Sequence, residues 1–467
     1  MKNMKKIVAL LLATVMVMAM SMSAMAAVNT DSGKGGNASI TITLPTNPNT
    51  DEDPEITYTV YKVFDATSDG TSSAIAYQID SANGPLTADM TAAGFSVDTA
   101  GNVAGPASLD DNALKAIAAY AKDSIGTFKA KASDGSLVIT GLQYGYYYIT
   151  TTTGAAVTVD STNPNATVED KNAIPSKPDK KITGVDTGSF DEAGKNAIAQ
   201  VGTKVTFTAT ITKVKGATNY VFHDTMSAGL QYNKDVAVTP ADVVANTTTA
   251  EGDTLTVTFD NDKLAALADN TTITITYSAT VTSDALTVNA AENTASLDYG
   301  DGNTTDTDTV KVYNAKFTVT KQDDQKKPLA GAGFVIKNAE GKYYKFTAAT
   351  ETAGAKVEWV DSIDAATEYT SDAQGAVTAF TGLANGTYTL VEKTVPAGYN
   401  KAADSTFTVD EGDYTAANLE QTATVENKTG SALPATGGIG TTMFYIVGSV
   451  LVIGAAVVLI SKRRMAR

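Results

Sequence analysis

The chain has no cysteine in 467 residues, which excludes disulfides, thiolate nucleophiles and thiolate metal sites. Histidine occurs once, as His223, so a multi-histidine zinc site is excluded and histidine-dependent catalysis has no second residue to work with. Basic charge is also short: 35 Lys and Arg stand against 51 Asp and Glu, a net charge of −16. The two signs are mixed along the chain, and the basic footprint of a nucleic-acid binder is missing. There is no glycine-rich phosphate loop, and no serine can be set beside a second histidine. No cofactor and no conventional catalytic reaction are expected, so the chain is read as a non-enzyme.

What is present begins with a secretory signal. Lys2, Lys5 and Lys6 precede the apolar "IVALLLATVMVMAM" (7–20), and "AMA" (24–26) offers small residues to a signal peptidase. The mature chain is expected to start at Ala27. A secreted chain without disulfides must be stabilised by its cores or by some other covalent device. At the other end, "MFYIVGSVLVIGAAVVLI" (443–460) is long and apolar enough to span a bilayer, and Lys462, Arg463 and Arg464 place its tail in the cytoplasm.

Between residues 27 and 430 the dominant pattern is alternation with a period of two. It runs through "ASITITL" (38–44), "ITYTVYKVF" (56–64), "KVTFTATITKV" (204–214), "TLTVTFD" (254–260), "TTITITYSATV" (271–281) and "KFTVTK" (316–321). Threonine, valine, isoleucine and tyrosine dominate, and turn clusters such as "LANG" separate the runs, as in antiparallel sandwiches with one buried face. One segment, "LDDNALKAIAAYAKDS" (109–124), reads as a helix, with Leu114, Ile117, Ala118 and Tyr120 at helical spacing. Two seams divide the body. "NAIPSKPDKKITG" (172–184) carries two prolines and a charge cluster, and "DTVKVYNAKFTVTK" (308–321) runs one strand set into the next. The expected organisation is a signal peptide at 1–26, then β-sandwich domains at 27–175, 176–313 and 314–430. A terminal segment follows at 431–467.

Just before the apolar span stands "LPATG", made of Leu433, Pro434, Ala435, Thr436 and Gly437. With the span and the basic tail it resembles the LPxTG sorting signal of Gram-positive surface proteins. The resemblance implies that a membrane sortase cleaves between Thr436 and Gly437. The enzyme would hold the Thr436 carbonyl as a thioester until an amine from peptidoglycan precursor or from a lysine of another subunit attacks it. The membrane span is then transient.

Residues 316–430 carry "KFTVTKQDDQKKPLAGAGFVIKN", "GLANGTYTLVEKTVPAGYN" and a closing "VENK". They resemble the collagen-adhesin B-type, immunoglobulin-like β-sandwich of surface proteins and pilins. The resemblance implies an intramolecular isopeptide bond between Lys321 and Asn427, assisted by Glu392. Alternation points the same way. Lys321 shares a strand face with Phe317 and Val319, Glu392 with Tyr388 and Leu390, and Asn427 with Ala423 and Val425. Three buried polar groups are costly unless they meet. Burial lowers the affinity of a lysine for its proton and raises that of a carboxylate, which suits an amine attacking an amide.

The middle segment resembles the fimbrial isopeptide-forming domain of backbone pilins, related to the collagen-adhesin A-type fold. "TNYVFHDTMSAGLQYNKDVAV" (218–238) supplies Asp224 as the acid, and "AENTASLDYG" (291–300) supplies Asn293 as the amide. Lys180 shares a face with Ile182 and is preferred to Lys181 as the amine, while His223 points outward. In the first domain "SLVITGLQYGYYYITTTTG" (136–154) is similar to the same box without its acid, and no bond is assigned there. The acidic "DYGDGNTTDTDT" (298–309) lacks the spacing of a calcium loop and reads as a solvated turn.

A polymerising pilin needs an exposed lysine. "VEDKN" (168–172) is similar to the family's lysine motif, with Glu and Asp where the family has Tyr and Pro, and it offers Lys171; Lys177 in "PSKPD" is the alternative. The implied function is the shaft subunit of a covalently polymerised pilus on a Gram-positive cell wall. Its partners would be sortase, other copies of itself, minor pilins, peptidoglycan and host surface ligands. The competing reading is a monomeric wall-anchored adhesin or minor pilin that binds a host ligand.

Overall fold

The computed structural model describes residues 24–27, 38–49, 53–68, 75–160, 165–249, 254–350, 353–430 and 439–465. Strands in six sheets make up nearly half of these residues, and the sheets pair into three successive sandwiches. In the first sandwich one sheet orders Ala24–Ala27, Ser136–Leu142, Ala38–Thr43 and Asn165–Glu169. The other is built around the long strand Glu55–Ser68, which pairs with Ile75–Ile79, Ser124–Lys131 and Gly145–Thr151. Of the predicted signal segment, only Ala24, Met25 and Ala26 are described. With Ala27 they form a strand parallel to Leu137–Thr140 of the first sheet.

The alternation read in the sequence becomes burial. Ala38, Ile40 and Ile42 face inward from one strand, and Ile56, Tyr58 and Val60 from another. The predicted helix forms over Asp111–Tyr120, where the Asp110 carboxylate caps its start by accepting from the Ala113 N–H at 2.8 Å. Its buried stripe differs from the one expected. Ala113, Ala116, Ile117 and Tyr120 face inward, Leu114 is half-buried and Ala118 is exposed. The helix covers a separate core of Val63, Phe64, Met90 and Phe95, and two alanines on the inner stripe let it approach closely.

In the middle sandwich, Asp179–Val185, Lys204–Thr212 and Thr272–Val281 lie side by side in one sheet. The facing sheet includes Asp308–Tyr313, Ala291–Tyr299, Val221–Met226 and Leu255–Phe259 in that order. The third sandwich sets its first strand, Ala315–Asp323, parallel to its last, Glu420–Asn427. Ala376–Leu383 completes that sheet, and Gly333–Lys337, Gly386–Thr394 and Ser405–Val409 lie in the other. Phe317 and Phe407 stack between the two sheets at 3.7 Å. A helix over Ile439–Met465, with Lys462, Arg463 and Arg464 in its last turn, has the length and composition to cross a membrane.

Adjacent sandwiches are joined by hydrogen bonds rather than by linker alone. At the first junction, Asp301 N–H and Asn303 Nδ2 both donate to the Thr152 carbonyl, at 2.8 and 2.7 Å. Gly300 turns the chain here with φ +61°, and a Cβ at that position would lie 1.9 Å from the same carbonyl oxygen. At the second junction Gln200 bridges the sandwiches. Its Nε2 donates to the Val357 carbonyl at 2.9 Å, and its Oε1 accepts from Trp359 Nε1 at 2.7 Å. Tyr414 adds a hydrogen bond to the Asn196 carbonyl and packs its ring against Tyr313.

Trp359 is the chain's single tryptophan, so it reports on this junction alone. Gln200→Ala removes two hydrogen bonds, each worth about 1 kcal/mol. The substitution should shift the tryptophan emission to the red and raise its quenching by acrylamide. Unchanged emission would show that Gln200 does not hold the junction closed.

Candidate functional site

Two buried polar clusters stand out, one in each of the last two sandwiches. In the middle sandwich Lys180 enters from the edge strand Asp179–Val185. The Lys180 N–H donates to Asp308 Oδ2 at 2.8 Å, and Lys195 Nζ donates to both the Lys180 carbonyl and Asp308, at 2.5 and 2.6 Å. These contacts pin the strand to the opposite sheet and turn the Lys180 side chain into the core. Lys181 faces outward and pairs with Asp179 at 2.9 Å, so of the two lysines the geometry places Lys180 inside.

Lys180, Asp224 and Asn293 are all fully buried. Asp224 and Asn293 come from neighbouring antiparallel strands of the facing sheet, where Asp224 is opposite Ala295 and Met226 is opposite Asn293. Lys180 Nζ hydrogen-bonds Asp224 Oδ2. It also contacts the hydroxyl of Tyr277, which itself hydrogen-bonds Asp224. The Tyr277 ring centroid lies 4.9 Å from Nζ and that of Phe207 5.5 Å, so the amine sits in an aromatic cage. Burial holds the Lys180 amine below the usual lysine range, against the pull of Asp224 in the other direction. Burial, reinforced by the Asp224 charge, pushes the Tyr277 phenol well above its ordinary range. The Asn293 amide is near enough to Tyr277 to oppose that shift, yet neither of its side-chain atoms completes a hydrogen bond.

The third sandwich repeats the cluster with different geometry. Lys321, Glu392 and Asn427 are buried as their strand faces predict. Here amine and amide lie on adjacent parallel strands of one sheet, with Lys321 in register with Val425. Lys321 Nζ donates to the carbonyls of Gln322 and Val425, at 2.8 and 3.1 Å. Glu392 reaches over from the other sheet. Its Oε1 accepts from Asn427 Nδ2 and its Oε2 from the Ala402 N–H, both at 2.7 Å. Burial lowers the Lys321 amine below its usual range, opposed chiefly by Glu392. The Asn427 Oδ1 has no hydrogen-bond partner. Each cluster therefore holds an amine with weakened hold on its proton, a carboxyl group and an amide whose carbonyl is free to be attacked.

Two family profiles match the chain. The SpaA prealbumin-like fold domain matches residues 315–423, and the LPXTG cell wall anchor motif matches residues 425–466. Solved structures extend the likeness to the whole body. The T6 backbone pilin of serotype M6 Streptococcus pyogenes, a modular three-domain structure, aligns with a TM-score of 0.53 at 19% identity, covering 81% of each chain. The Corynebacterium diphtheriae major pilin SpaA aligns at 0.50 and 15% identity, covering 84% of this chain and all of that one. No curated protein sequence matches. The chain carries the backbone-pilin fold on a Gram-positive cell wall anchor.

This pilin-fold chain is thus a wall-anchored surface protein, mainly β, with its third sandwich of the prealbumin-like type. Leu433, Pro434, Ala435, Thr436 and Gly437 fall within the matched anchor but outside the described residues. Lys171 follows the edge strand Asn165–Glu169 and is exposed, while Asp170 and Asn172 on either side of it are buried. Asp170 accepts from Tyr58 Oη at 2.7 Å, from Thr153 Oγ1 at 3.1 Å and from Asn172 Nδ2 at 2.8 Å. Burial, reinforced by the Asp170 charge, raises the Tyr58 phenol above its ordinary range. Lys177 is also exposed, between Pro175 and Pro178, and its N–H donates to Asn49 Oδ1 at 3.1 Å.

Sequence reasoning missed Tyr277 and the Asp170 network. It also missed a cluster in the first sandwich where the nearly buried Lys62 contacts Asp65 and lies 2.8 Å from Gln143 Oε1 and 3.8 Å from Asp80. Tyr277 did leave a signal. In "TITITYSATV" it is the one inward residue with a hydroxyl to satisfy, and a buried phenol needs a partner. His223 is partly exposed and pairs with Asp298 at 3.0 Å. The acidic stretch 298–309 spends Asp298 on His223 and Asp308 on Lys195.

Because the folded-state affinity of Lys180 for protons lies below the unfolded value near ~10.4, the unfolded chain binds more protons below that pH. Its contribution to stability is therefore present above the unfolded pKa and lost as pH falls through the folded one. In Asn293→Ala, where Lys180 must remain an amine, the urea midpoint should fall from alkaline toward neutral pH. Lys180→Met in that background should flatten the dependence. Parallel curves for the two variants would show that the Lys180 amine is not held in its neutral form.

Proposed function

We propose that this chain is the shaft subunit of a covalently polymerised pilus, built of three domains at 27–175, 176–313 and 314–430. The observation that carries the reading is the pair of buried lysine–acid–asparagine clusters in a backbone-pilin fold that ends in a wall anchor. In each cluster the lysine amine attacks the asparagine Cγ. The acid passes protons between the attacking and leaving nitrogens, the Cγ–Nδ2 bond breaks, and ammonia departs. The products are amides joining Lys180 to Asn293 and Lys321 to Asn427, with Asp224 and Glu392 as the acids. The diphtheria relative is described as having a modular assembly with stabilising isopeptide bonds, which supports the same reading here.

Polymerisation joins the Thr436 carbonyl of one subunit, delivered as a sortase thioester, to Lys171 of the next. Lys171 suits this role because its two buried neighbours fix the backbone while its side chain stays open to an enzyme. Lys177 is the alternative acceptor, and peptidoglycan takes the last subunit.

The bonds define how tension crosses the subunit. Pull enters at Lys171, runs along the backbone to Lys180, crosses to Asn293, follows the chain to Lys321, crosses to Asn427 and leaves toward Thr436. Residues before Lys171 lie outside this path. No tension would then pass through the core of the first domain, where sequence reasoning assigns no bond.

Immunoblots of boiled cell-wall extracts should show a ladder that collapses to one band in Lys171→Ala. A ladder lost only in Lys177→Ala would move the acceptor, and a single band in the unmodified chain would replace the shaft by a monomeric adhesin or minor pilin. Separately, the intact mass of the chain should fall short of the sequence mass by two ammonia molecules. A full sequence mass would refute the internal bonds.

A further inference from the structure

The acid of each cluster needs something to hold it in line, and the two sandwiches solve this differently. In the third, the backbone N–H of Ala402 fixes Glu392 Oε2 while Oε1 takes the asparagine amide. In the middle sandwich the groups against Asp224 are the Lys180 amine itself and a phenol. Tyr277 Oη is bonded to Asp224 Oδ2 and to Lys180 Nζ at once, from a strand that neither residue occupies. Phe207 and Phe222 pack around its ring at 5.8 and 6.5 Å.

We infer that Tyr277 is a further catalytic residue of the middle site, giving the lysine proton a second path to Asp224 beside the direct Lys180–Asp224 contact before the amine attacks Asn293. This inference rests on the cross-linking reading given above. The buried phenol stays protonated, because ionising it would place a second negative charge against Asp224. A neutral phenol in contact with both groups accepts a proton from the Lys180 ammonium as it gives its own to the Asp224 carboxylate. The phenol is unchanged, the amine becomes neutral and the acid becomes protonated. The amine nitrogen then bonds to Asn293 Cγ while protonated Asp224 donates to the amide. As the Cγ–Nδ2 bond breaks, Nδ2 takes the proton shed by the attacking nitrogen and leaves as ammonia. The extra proton held by Asp224 follows it out as ammonium. Among the described residues no phenol bonds the acid of the Lys321 cluster, so the third bond serves as a control for a change at Tyr277.

The test follows linkage in the full-length chain by tandem mass spectrometry of the Lys180–Asn293 peptide pair, with the Lys321–Asn427 pair as internal control. Samples are taken during a pulse-chase and incubated across mildly acidic to mildly alkaline pH. Tyr277→Phe should slow the middle bond by about a hundredfold, the scale of a lost proton-transfer group, with the third bond unaffected. Its rate should also shift toward alkaline pH, because only the direct contact with Asp224 then remains to take the amine's proton. A second variant carries fluorotyrosine at 277, which keeps the shape and makes the phenol more acidic; it should restore linkage with a displaced pH profile. Wild-type rate and pH profile in both variants would overturn the inference. A purely space-filling role is revealed if Tyr277→Phe slows the bond with an unshifted profile and fluorotyrosine leaves that profile unmoved; this outcome also overturns it. Absence of the Lys180–Asn293 peptide in the unmodified chain would instead refute the cross-link itself.

Discussion

An amine enclosed between two sheets must find a counter-charge, lose its proton or be consumed, and much of this structure follows from that constraint. Desolvating an ammonium costs several kcal/mol even after the protein relaxes around it. Lys180 and Lys321 meet that cost by sitting against a carboxyl group or backbone carbonyls, with a weakened hold on the proton. Each lies on the first strand of its sandwich, and each asparagine lies on the last strand or beside it. The same burial that makes the lysines expensive prepares them to react. Under the proposed cross-linking, a chain without cysteine would thereby gain a covalent brace whose formation depends on the core having folded first.

If the proposed bonds form, the placement of the clusters gives the sandwiches unequal mechanical roles. Lys321 and Asn427 lie on neighbouring parallel strands of the third sandwich, so under the proposed cross-link a pull on its two ends would be borne by one short bridge. Lys180 and Asn293 stand on opposite sheets of the middle sandwich, so the proposed bond there would resist separation of the layers as well as of the ends. Between them the Gln200–Trp359 bridge and the Tyr313–Tyr414 contact align the two units. Ahead of both, Asp170 anchors the segment that displays Lys171 by collecting hydrogen bonds from Tyr58, Thr153 and Asn172. A buried carboxylate served by hydroxyl and amide donors fixes the backbone without using a cation, and leaves the neighbouring lysine unengaged by it.

Much of the candidate site was legible before folding because strand alternation encodes inside and outside directly. Lys321 beside Phe317 and Val319 can only point into a core, and Lys180 is separated from Lys181 by the same parity. The helix over Asp111–Tyr120 was legible in position but not in orientation. Periodicity alone does not say whether Ala118 or Ala116 faces the sheet, since both are small and apolar. Tyr277 was hidden for a related reason: a tyrosine in a strand usually reads as core, and only its distance to residues 97 and 53 positions away makes it part of the site.

By itself, the sequence determined the strand faces, the membrane-spanning segment with its basic tail, the wall anchor and the lysine, acid and asparagine candidates. These are local properties, fixed by periodicity, charge and short motifs. Tertiary structure decided which groups meet: that the Lys180 amine touches Asp224 and Tyr277 together, that Ala402 holds Glu392, and that Gln200 bridges two sandwiches. Those contacts join residues far apart in the chain, and no local pattern carries information about sheet-to-sheet distance. Which lysine is buried could be read from parity, but what surrounds it was set only when the sheets closed.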